Sequence, residues 1–274
     1  MRRKPATAYL IAASVLYAVA LPSAHAVATA TANMSVVSWT LTDLNLADGI
    51  TPALVLSSTF SYSSTNLVGY ANSPFQNIPG SYQPTSASGS NLYGSGSANT
   101  SATGAQTSVI LKGSTALGTQ VFQQAVAYPI FGNFTLSANT LVSFTVPYAL
   151  ATNTTVGQLD ANSESAQAAA NFQLNVSSVN GSSNFSANAS TYASSTYIPS
   201  TGLYTGASSS RNGTLELLFA NRSNSDVTGN FYAYAQAYIY SSLASPVPEA
   251  TTGSLMALGL AALAFGRRSF SRPT

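Results

Sequence analysis

The residue types that enzymes use most often for catalysis are scarce in this chain. Its 274 residues include no cysteine and a single histidine, His25, which lies close to the N-terminus. Ser-His-Asp and Cys-His nucleophiles and the usual zinc sites require those side chains, so the rest of the chain cannot form them. Asp160 and Glu164 are the closest pair of later acids, and acid-base catalysis uses such pairs. They fall in a connection rich in Asn and Ser, and we interpret them as solvated.

A second group of oxygen-bearing side chains comprises Asp43, Asn45 and Asp48, next to Gly49. Calcium prefers clustered carboxylate and amide oxygens. The spacing departs from an EF-hand loop, because Ala47 stands where an oxygen ligand is needed. We therefore interpret the group as a turn that ends a strand. We predict no metal site, no cofactor and no enzymatic activity.

A row of tyrosines is the internal feature that most suggests binding. Between residues 231 and 240 the odd positions are apolar, and the even positions carry Gln236 and four tyrosines, Tyr232, Tyr234, Tyr238 and Tyr240. This alternation predicts a strand with two unlike faces. Exposed aromatic rows can stack on sugar rings, so the tyrosines form a candidate polysaccharide-binding face. The alternative is that the rings are half-buried and pair across strands.

The same alternation recurs along the chain and predicts the strands that would position this face. It outweighs the helical propensity of the alanine-rich segment 166–177, which we predict to be a strand. Further strands are predicted around residues 37–41, 54–62, 107–111, 121–128, 142–148 and 215–219, with turns at 153–155, 180–183 and 211–213. Strands with one polar face at short spacing favour an all-β fold, an antiparallel β-sandwich with a jelly-roll-like topology as one option.

One segment, residues 71–104, does not fit this pattern. It is rich in Ser, Gly and Asn and has few large apolar side chains. We predict a long surface excursion from the sandwich; the alternative is a flexible link after an N-terminal hairpin.

The N-terminal segment has the three parts of a secretory signal peptide. Cations at positions 2–4 precede an uncharged run at 8–21, and small residues follow at Ala24 and Ala26. We predict that residues 1–26 form a signal helix that signal peptidase removes after Ala26. The run is shorter than the roughly 20 residues that a membrane span needs, which disfavours a permanent anchor.

The C-terminal segment, residues 245–274, also has three parts in order. These are a short motif, an apolar run at 253–265 and a basic tail. The motif consists of Val247, Pro248, Glu249 and Ala250, and the cations of the tail are Arg267, Arg268 and Arg272. A helix over the run would be about 20 Å long, shorter than a hydrocarbon core of about 30 Å. We predict a hydrophobic helix that bridges the membrane temporarily, with its cations on the cytoplasmic side. The alternative is a core helix at the end of the fold.

This order of parts resembles the C-terminal sorting signal of PEP-CTERM proteins, which are exported bacterial surface proteins. Val247, Pro248 and Glu249 match the family motif, and Ala250 stands where the family usually has a second proline. The resemblance implies transient anchoring in the inner membrane and cleavage near the motif by an exosortase, a membrane-embedded cysteine protease. The protein would then reside at the cell surface or outside the cell.

The expected mature region, residues 27–244, carries little charge. It contains three cations and six acids, which give a net charge of −3, whereas the full chain carries +2. Nucleic acid is therefore not an expected partner. Together with the terminal signals, this composition predicts an exported structural protein of the surface or of an exopolysaccharide-rich biofilm matrix. The alternative function is a carbohydrate-binding β-sandwich that uses the tyrosine face.

Overall fold

Fifteen β-strands form in the described part of the chain, and most of the longer ones alternate small or apolar residues with polar residues. The computed structural model describes residues 27–67, 70–72, 84–91, 94–112, 120–154, 164–178, 181–198, 200 and 203–242. The strands are β1 (Val27–Ser35), β2 (Ser38–Asp43), β3 (Leu54–Leu67), β4 (Tyr70–Asn72), β5 (Ser86–Asn91), β6 (Gly94–Ser101), β7 (Gly104–Lys112), β8 (Gln120–Leu136), β9 (Thr140–Asn153), β10 (Glu164–Ser178), β11 (Gly181–Ser194), β12 (Thr196–Ile198), β13 (Leu203–Thr205), β14 (Ser208–Asn221) and β15 (Val227–Ser242).

The predicted terminal segments lie outside the described residues. This applies to both predicted helices and to the residues Ala24, Ala26, Val247, Pro248, Glu249, Ala250, Arg267, Arg268 and Arg272. Within the ranges given above, no helix is long and apolar enough to cross a membrane.

Two antiparallel sheets pack face to face. The seven-stranded sheet has the order β14-β9-β1-β7-β6-β5, with β2 also paired to β9, and the six-stranded sheet has the order β11-β10-β15-β8-β3-β4. A separate hairpin joins β12 to β13. The prediction of an all-β antiparallel sandwich is confirmed, and the jelly-roll-like topology stays a prediction.

The core between the sheets has an alanine-rich part and an aromatic part. Fully buried alanines occupy the inner positions of β1 at 28–32, of β10 at 166–170 and of β15 at 233–237. Because alanine projects little from the backbone, the sheets can pack closely there. Larger rings fill the next part, where the Phe144 ring lies 5.3 Å from that of Phe172 and 6.3 Å from that of Phe231.

The predicted excursion at 71–104 is wrong over residues 86–101. Those residues form β5 and β6, which pair in register and continue the seven-stranded sheet through β7. The inner positions of β6 are Gly94, Gly96, Ala98 and Thr100, so the alternation is present but is carried by small residues. At Gly96 an added Cβ would lie 3.2 Å from a methyl carbon of Leu67, so the small residue allows the opposite sheet to approach.

The predicted turn at 211–213 is also wrong, because these residues lie inside β14. Arg211, Asn212 and Gly213 pair with residues 150, 149 and 148 of β9. A Cβ at Gly213 would lie 2.9 Å from the hydroxyl oxygen of Tyr148, so the glycine makes room for this ring rather than for a turn.

A β-bulge in β8 changes which side chains point outward. Ala127 pairs with Ala235 and Ile130 pairs with Ala233, so two residues of β8, Tyr128 and Pro129, face the single residue 234 of β15. A bulge leaves one residue of the ladder unpaired, which suits proline because it has no backbone N–H. As a result, the buried positions of β8 are odd before the bulge and even after it.

Candidate functional site

The outward surface of the six-stranded sheet, here called the tyrosine face, carries all four tyrosines predicted from the sequence. Alternation along β15 turns Tyr232, Tyr234, Tyr238 and Tyr240 away from the core, and each is partly exposed. The exposed binding face and the half-buried, cross-paired rings were stated as alternatives, and each describes part of the tyrosine face, since the rings reach solvent and also contact one another.

A cross-strand cluster of four tyrosine rings extends from β15 to β8 and β3. Its members are Tyr232, Tyr234, Tyr128 and Tyr62. The centroid of Tyr128 lies 5.0 Å from that of Tyr234 and 5.7 Å from that of Tyr62. Tyr232 and Tyr234 stack at 6.2 Å with an interplanar angle of 20°. Rings at these separations cannot lie side by side in one plane, so they do not form one flat platform.

Tyr62 and Tyr128 are members of this cluster that the sequence interpretation did not include. They end the predicted strands 54–62 and 121–128, but local alternation does not mark them as outward, because Tyr62 has the parity of Leu54 and Phe60. The register of β3 on β8 places Tyr62 and Tyr128 opposite each other. Only this pairing between distant segments brings the two residues into the cluster.

Amide side chains accompany the tyrosines on neighbouring strands. The hydroxyls of Tyr232 and Tyr238 donate hydrogen bonds to the side-chain carbonyls of Gln173 and Gln167 on β10. Further along, Asn175 Nδ2 donates to Asn230 Oδ1 at 2.8 Å. These contacts hold the donors and acceptors of the face in a fixed arrangement.

Three phenols of the tyrosine face, those of Tyr128, Tyr234 and Tyr238, have raised pKa values. Burial raises the pKa of Tyr128 above its usual 10.0, and the neighbouring Tyr234, Tyr232 and Tyr62 add to the rise. Burial also raises the pKa of Tyr234, with a further contribution from Tyr232. The pKa of Tyr238 is raised by burial and by Tyr192, against a smaller opposing effect of its hydrogen bond to Gln167. These three phenols can therefore both donate and accept a hydrogen bond at physiological pH.

The acids Asp43 and Asp48, singled out from the sequence, lie at the end of β2 and in the turn after it, and not on the tyrosine face. Backbone N–H groups donate to the carboxylates of the predicted turn, from Asn45 to Asp43 and from Ile50 to Asp48, each at 2.8 Å. The second carboxylate oxygen of Asp48 accepts a hydrogen bond from Asn139 Nδ2 at 2.7 Å. No group of three or more metal-ligating side chains occurs among the described residues.

The expectation that Glu164 is solvated is wrong. Glu164 begins β10 and is 3% exposed, because it lies on the inward face that Ala166 and Ala168 continue. Its backbone N–H donates to Ser195 Oγ at 2.9 Å, and its carbonyl accepts from Ser195 N at 3.0 Å. Asp160, its predicted partner, lies outside the described residues.

The outward surface of the seven-stranded sheet is polar in a different way. On β5, β6 and β7 its side chains are mostly hydroxyls and amides, among them Ser88, Ser90, Ser95, Ser97, Asn99 and Gln106. A depression of 540 Å³ lies among the serines, and another of 460 Å³ lies near Asn33, Asn99 and Gln106. This surface offers a comparison for the tyrosine face in binding experiments.

The fold and the tyrosine face define an antiparallel β-sandwich with an uncharged outer surface of aromatic and amide side chains. No protein-family model matches the chain, and no curated protein matches it. A solved structure that concerns the promiscuous specificity of carbohydrate-binding modules from the β-sandwich superfamily is 9% identical, and the match covers 77% of this chain and 96% of that one. Its TM-score is 0.11, and a likeness this low carries no structural argument.

Proposed function

We propose that this chain is an exported, non-enzymatic surface or matrix protein that binds polysaccharide through the tyrosine face. The observation that carries the proposal is chemical. The outward positions described on β3, β8, β10, β11 and β15 hold mainly hydroxyls, amides and aromatic rings, with Val55, Val126 and Ala169 among them, and none of them holds an ionisable Asp, Glu, Lys or Arg.

Polysaccharides match such a surface because they are rich in hydroxyl groups. Amide side chains supply donors and acceptors together, and a tyrosine supplies an apolar ring with a polar end. Since the rings do not form one flat platform, a sugar would contact individual ring faces, ring edges and phenol oxygens. The fixed hydrogen bonds of Tyr232 and Tyr238 reduce the ordering that binding requires.

A glycan array followed by affinity electrophoresis tests this proposal. Gels that contain a soluble polysaccharide identified on the array should retard the wild-type chain, and the Tyr234→Ala variant should lose most of the retardation. The control is Trp39→Ala, which removes an aromatic ring that is 39% exposed on β2 of the other sheet. Silence across the array, or equal retardation of Tyr234→Ala and wild type, would contradict the proposal.

Export and processing form the second part of the proposal, and the terminal segments support it. The signal-peptide pattern of residues 1–26 and the PEP-CTERM-like segment 245–274 favour secretion, temporary retention in the inner membrane and cleavage near Val247 to Ala250. Release would deliver the sandwich to a polysaccharide-rich envelope or biofilm. The mass of the secreted chain tests this, in cells with an active exosortase. A secreted chain that still carries residues 255–274 would rule out the proposed processing.

A further inference from the structure

Five polar side chains form a line across the six-stranded sheet, here called the cross-strand row. Its members are Tyr62, Tyr128, Tyr234, Asn171 and Asn188, which lie on β3, β8, β15, β10 and β11. Tyr62 is opposite Tyr128, Asn171 is opposite Tyr234, and Asn188 is opposite Asn171. The bulge in β8 brings Tyr128 against Tyr234, which completes the line.

The members of the row repeat at nearly constant spacing. Adjacent strands are about 4.7–4.9 Å apart, which sets the separation of Tyr234, Asn171 and Asn188. The tyrosine centroids repeat at 5.0 and 5.7 Å. The row thus offers one polar group about every 5 Å, the strand spacing, over five strands.

We propose that the polysaccharide is a neutral, extended, β-linked chain that lies across the strands along this row, with one sugar unit for each strand. This inference rests on the proposed function and names its ligand class. An extended β-linked pyranose chain advances by one ring and one linkage oxygen for each sugar, a length comparable with the strand spacing of about 4.7–4.9 Å. Successive sugars therefore lie over successive members of the row. Because each sugar of an extended β-1,4-linked chain is turned over relative to the one before it, the same hydroxyl pattern returns at every second member. Five members predict a binding site of five sugars.

The charge of the surface selects the neutral class. A uronate or sulfated chain would bring repeated negative charges onto a face whose described outward side chains offer no cation. Those charges would lose hydration without gaining an ion pair. Tyr128 and Tyr234 keep their protons, so the row itself adds no charge.

The course of the row across five successive strands selects the extended class. An α-linked chain that coils curves away from the row, and its remaining units would contact solvent or other rows. An extended chain stays on the line across all five strands. The length of oligosaccharide that gives maximal affinity therefore reports how many members of the row are used.

Calorimetric titration of the full chain with oligosaccharides of two to eight units tests the inference. The probes are β-1,4-linked oligomers of glucose, mannose and N-acetylglucosamine, together with α-1,4-linked glucose and β-linked uronate oligomers. For at least one neutral β-linked series, affinity should rise to five units and then level off. The pentamer should bind roughly tenfold more tightly than the dimer, since three further polar groups are engaged.

Two asparagines on the same strand provide the matched variants. Asn188→Ala removes the last member of the row and should move the plateau from five units to four, with trimer affinity unchanged. Asn184→Ala removes an exposed amide of β11 that lies outside the row and should leave the plateau at five.

The outcomes separate this inference from the proposed function. A plateau at two or three sugars, or equal behaviour of Asn188→Ala and Asn184→Ala, would overturn the row while Tyr234-dependent binding remained. Tighter binding of the α-linked or uronate series would overturn the ligand class. If neither the oligomers nor the polysaccharides of the array bind, the proposed function itself fails.

Discussion

Replacement of Phe144 by alanine tests whether the aromatic part of the core holds the two sheets together. Phe144 belongs to β9 of the seven-stranded sheet and is 1% exposed. Its ring contacts those of Phe172 and Phe231, which belong to β10 and β15 of the opposite sheet. The substitution therefore removes a contact that crosses between the sheets.

The expected loss has two contributions. A buried Phe→Ala substitution costs about 3–5 kcal/mol through lost burial and the cavity left behind. Two aromatic pairs add about 0.5–1.5 kcal/mol each beyond burial, although part of this is already contained in the first figure. We expect the free energy of unfolding to fall by about 4–5 kcal/mol, at the upper end of the range for such substitutions.

Urea unfolding followed by tryptophan fluorescence and circular dichroism measures this loss. Phe122→Ala is the control, because Phe122 is 38% exposed on the outer surface, and a loss below about 1.5 kcal/mol is expected there from partial burial. A loss below about 2 kcal/mol for Phe144→Ala, or losses of equal size for both variants, would refute the proposed role of the ring cluster, since full burial predicts more.

Three further predictions concern other parts of the sandwich. Ala235→Leu should lower the free energy of unfolding by about 1–3 kcal/mol in urea titrations, because its buried position in the alanine-rich core has no room for a larger side chain. Asn221→Ala should cost about 1–3 kcal/mol by the same measurement, because the buried Asn221 amide donates to the carbonyls of Ser137 and Ser225, each at 2.9 Å. Burial raises the pKa of Tyr128 and Tyr234 above 10.0, so the native state holds these protons more tightly than the unfolded state. Their contribution to stability should be constant below pH 10 and lost as the pH rises through the raised pKa values. Thermal melts between pH 7 and 11.5 should show this decline in stability. The Tyr128→Phe variant should show a weaker decline.

Strands with large side chains on at least one face were predictable from the sequence, and those made mostly of small residues on both faces were not. Alternation identified β15 and also β10, where alanine favours a helix but the outward Gln and Asn residues revealed the period of two. The same alternation in β1, β6 and β11 uses alanine, glycine and threonine at the inner positions, which apolar patterning does not register. The inward position of these small residues became evident only from the close approach of the opposite sheet.

Only the part of the candidate site that lies on one strand was predictable from the sequence. The face of β15 followed from its own sequence, since alternation is a local property. The contribution of Tyr62 and Tyr128 depends on strand order and register, which pairing between distant segments determines. The packing of the rings against one another depends in turn on that pairing, so a local pattern could not reveal it.

The extra residue in β8 acts as a phase shift between two halves of one strand. Straightening of the bulge with every residue of β8 retained would restore an unbroken alternation, so one half would have to turn over relative to the other. Either Gln123, Ala125 and Ala127 would leave the core, or Phe134 and Leu136 would do so. Deletion of Pro129, in contrast, removes the extra residue itself and leaves both sets facing inward. One-residue insertions are therefore far less tolerable within β8 than substitutions at its outward positions. The surface chemistry of this sheet can vary freely only while the bulge keeps the two halves in phase.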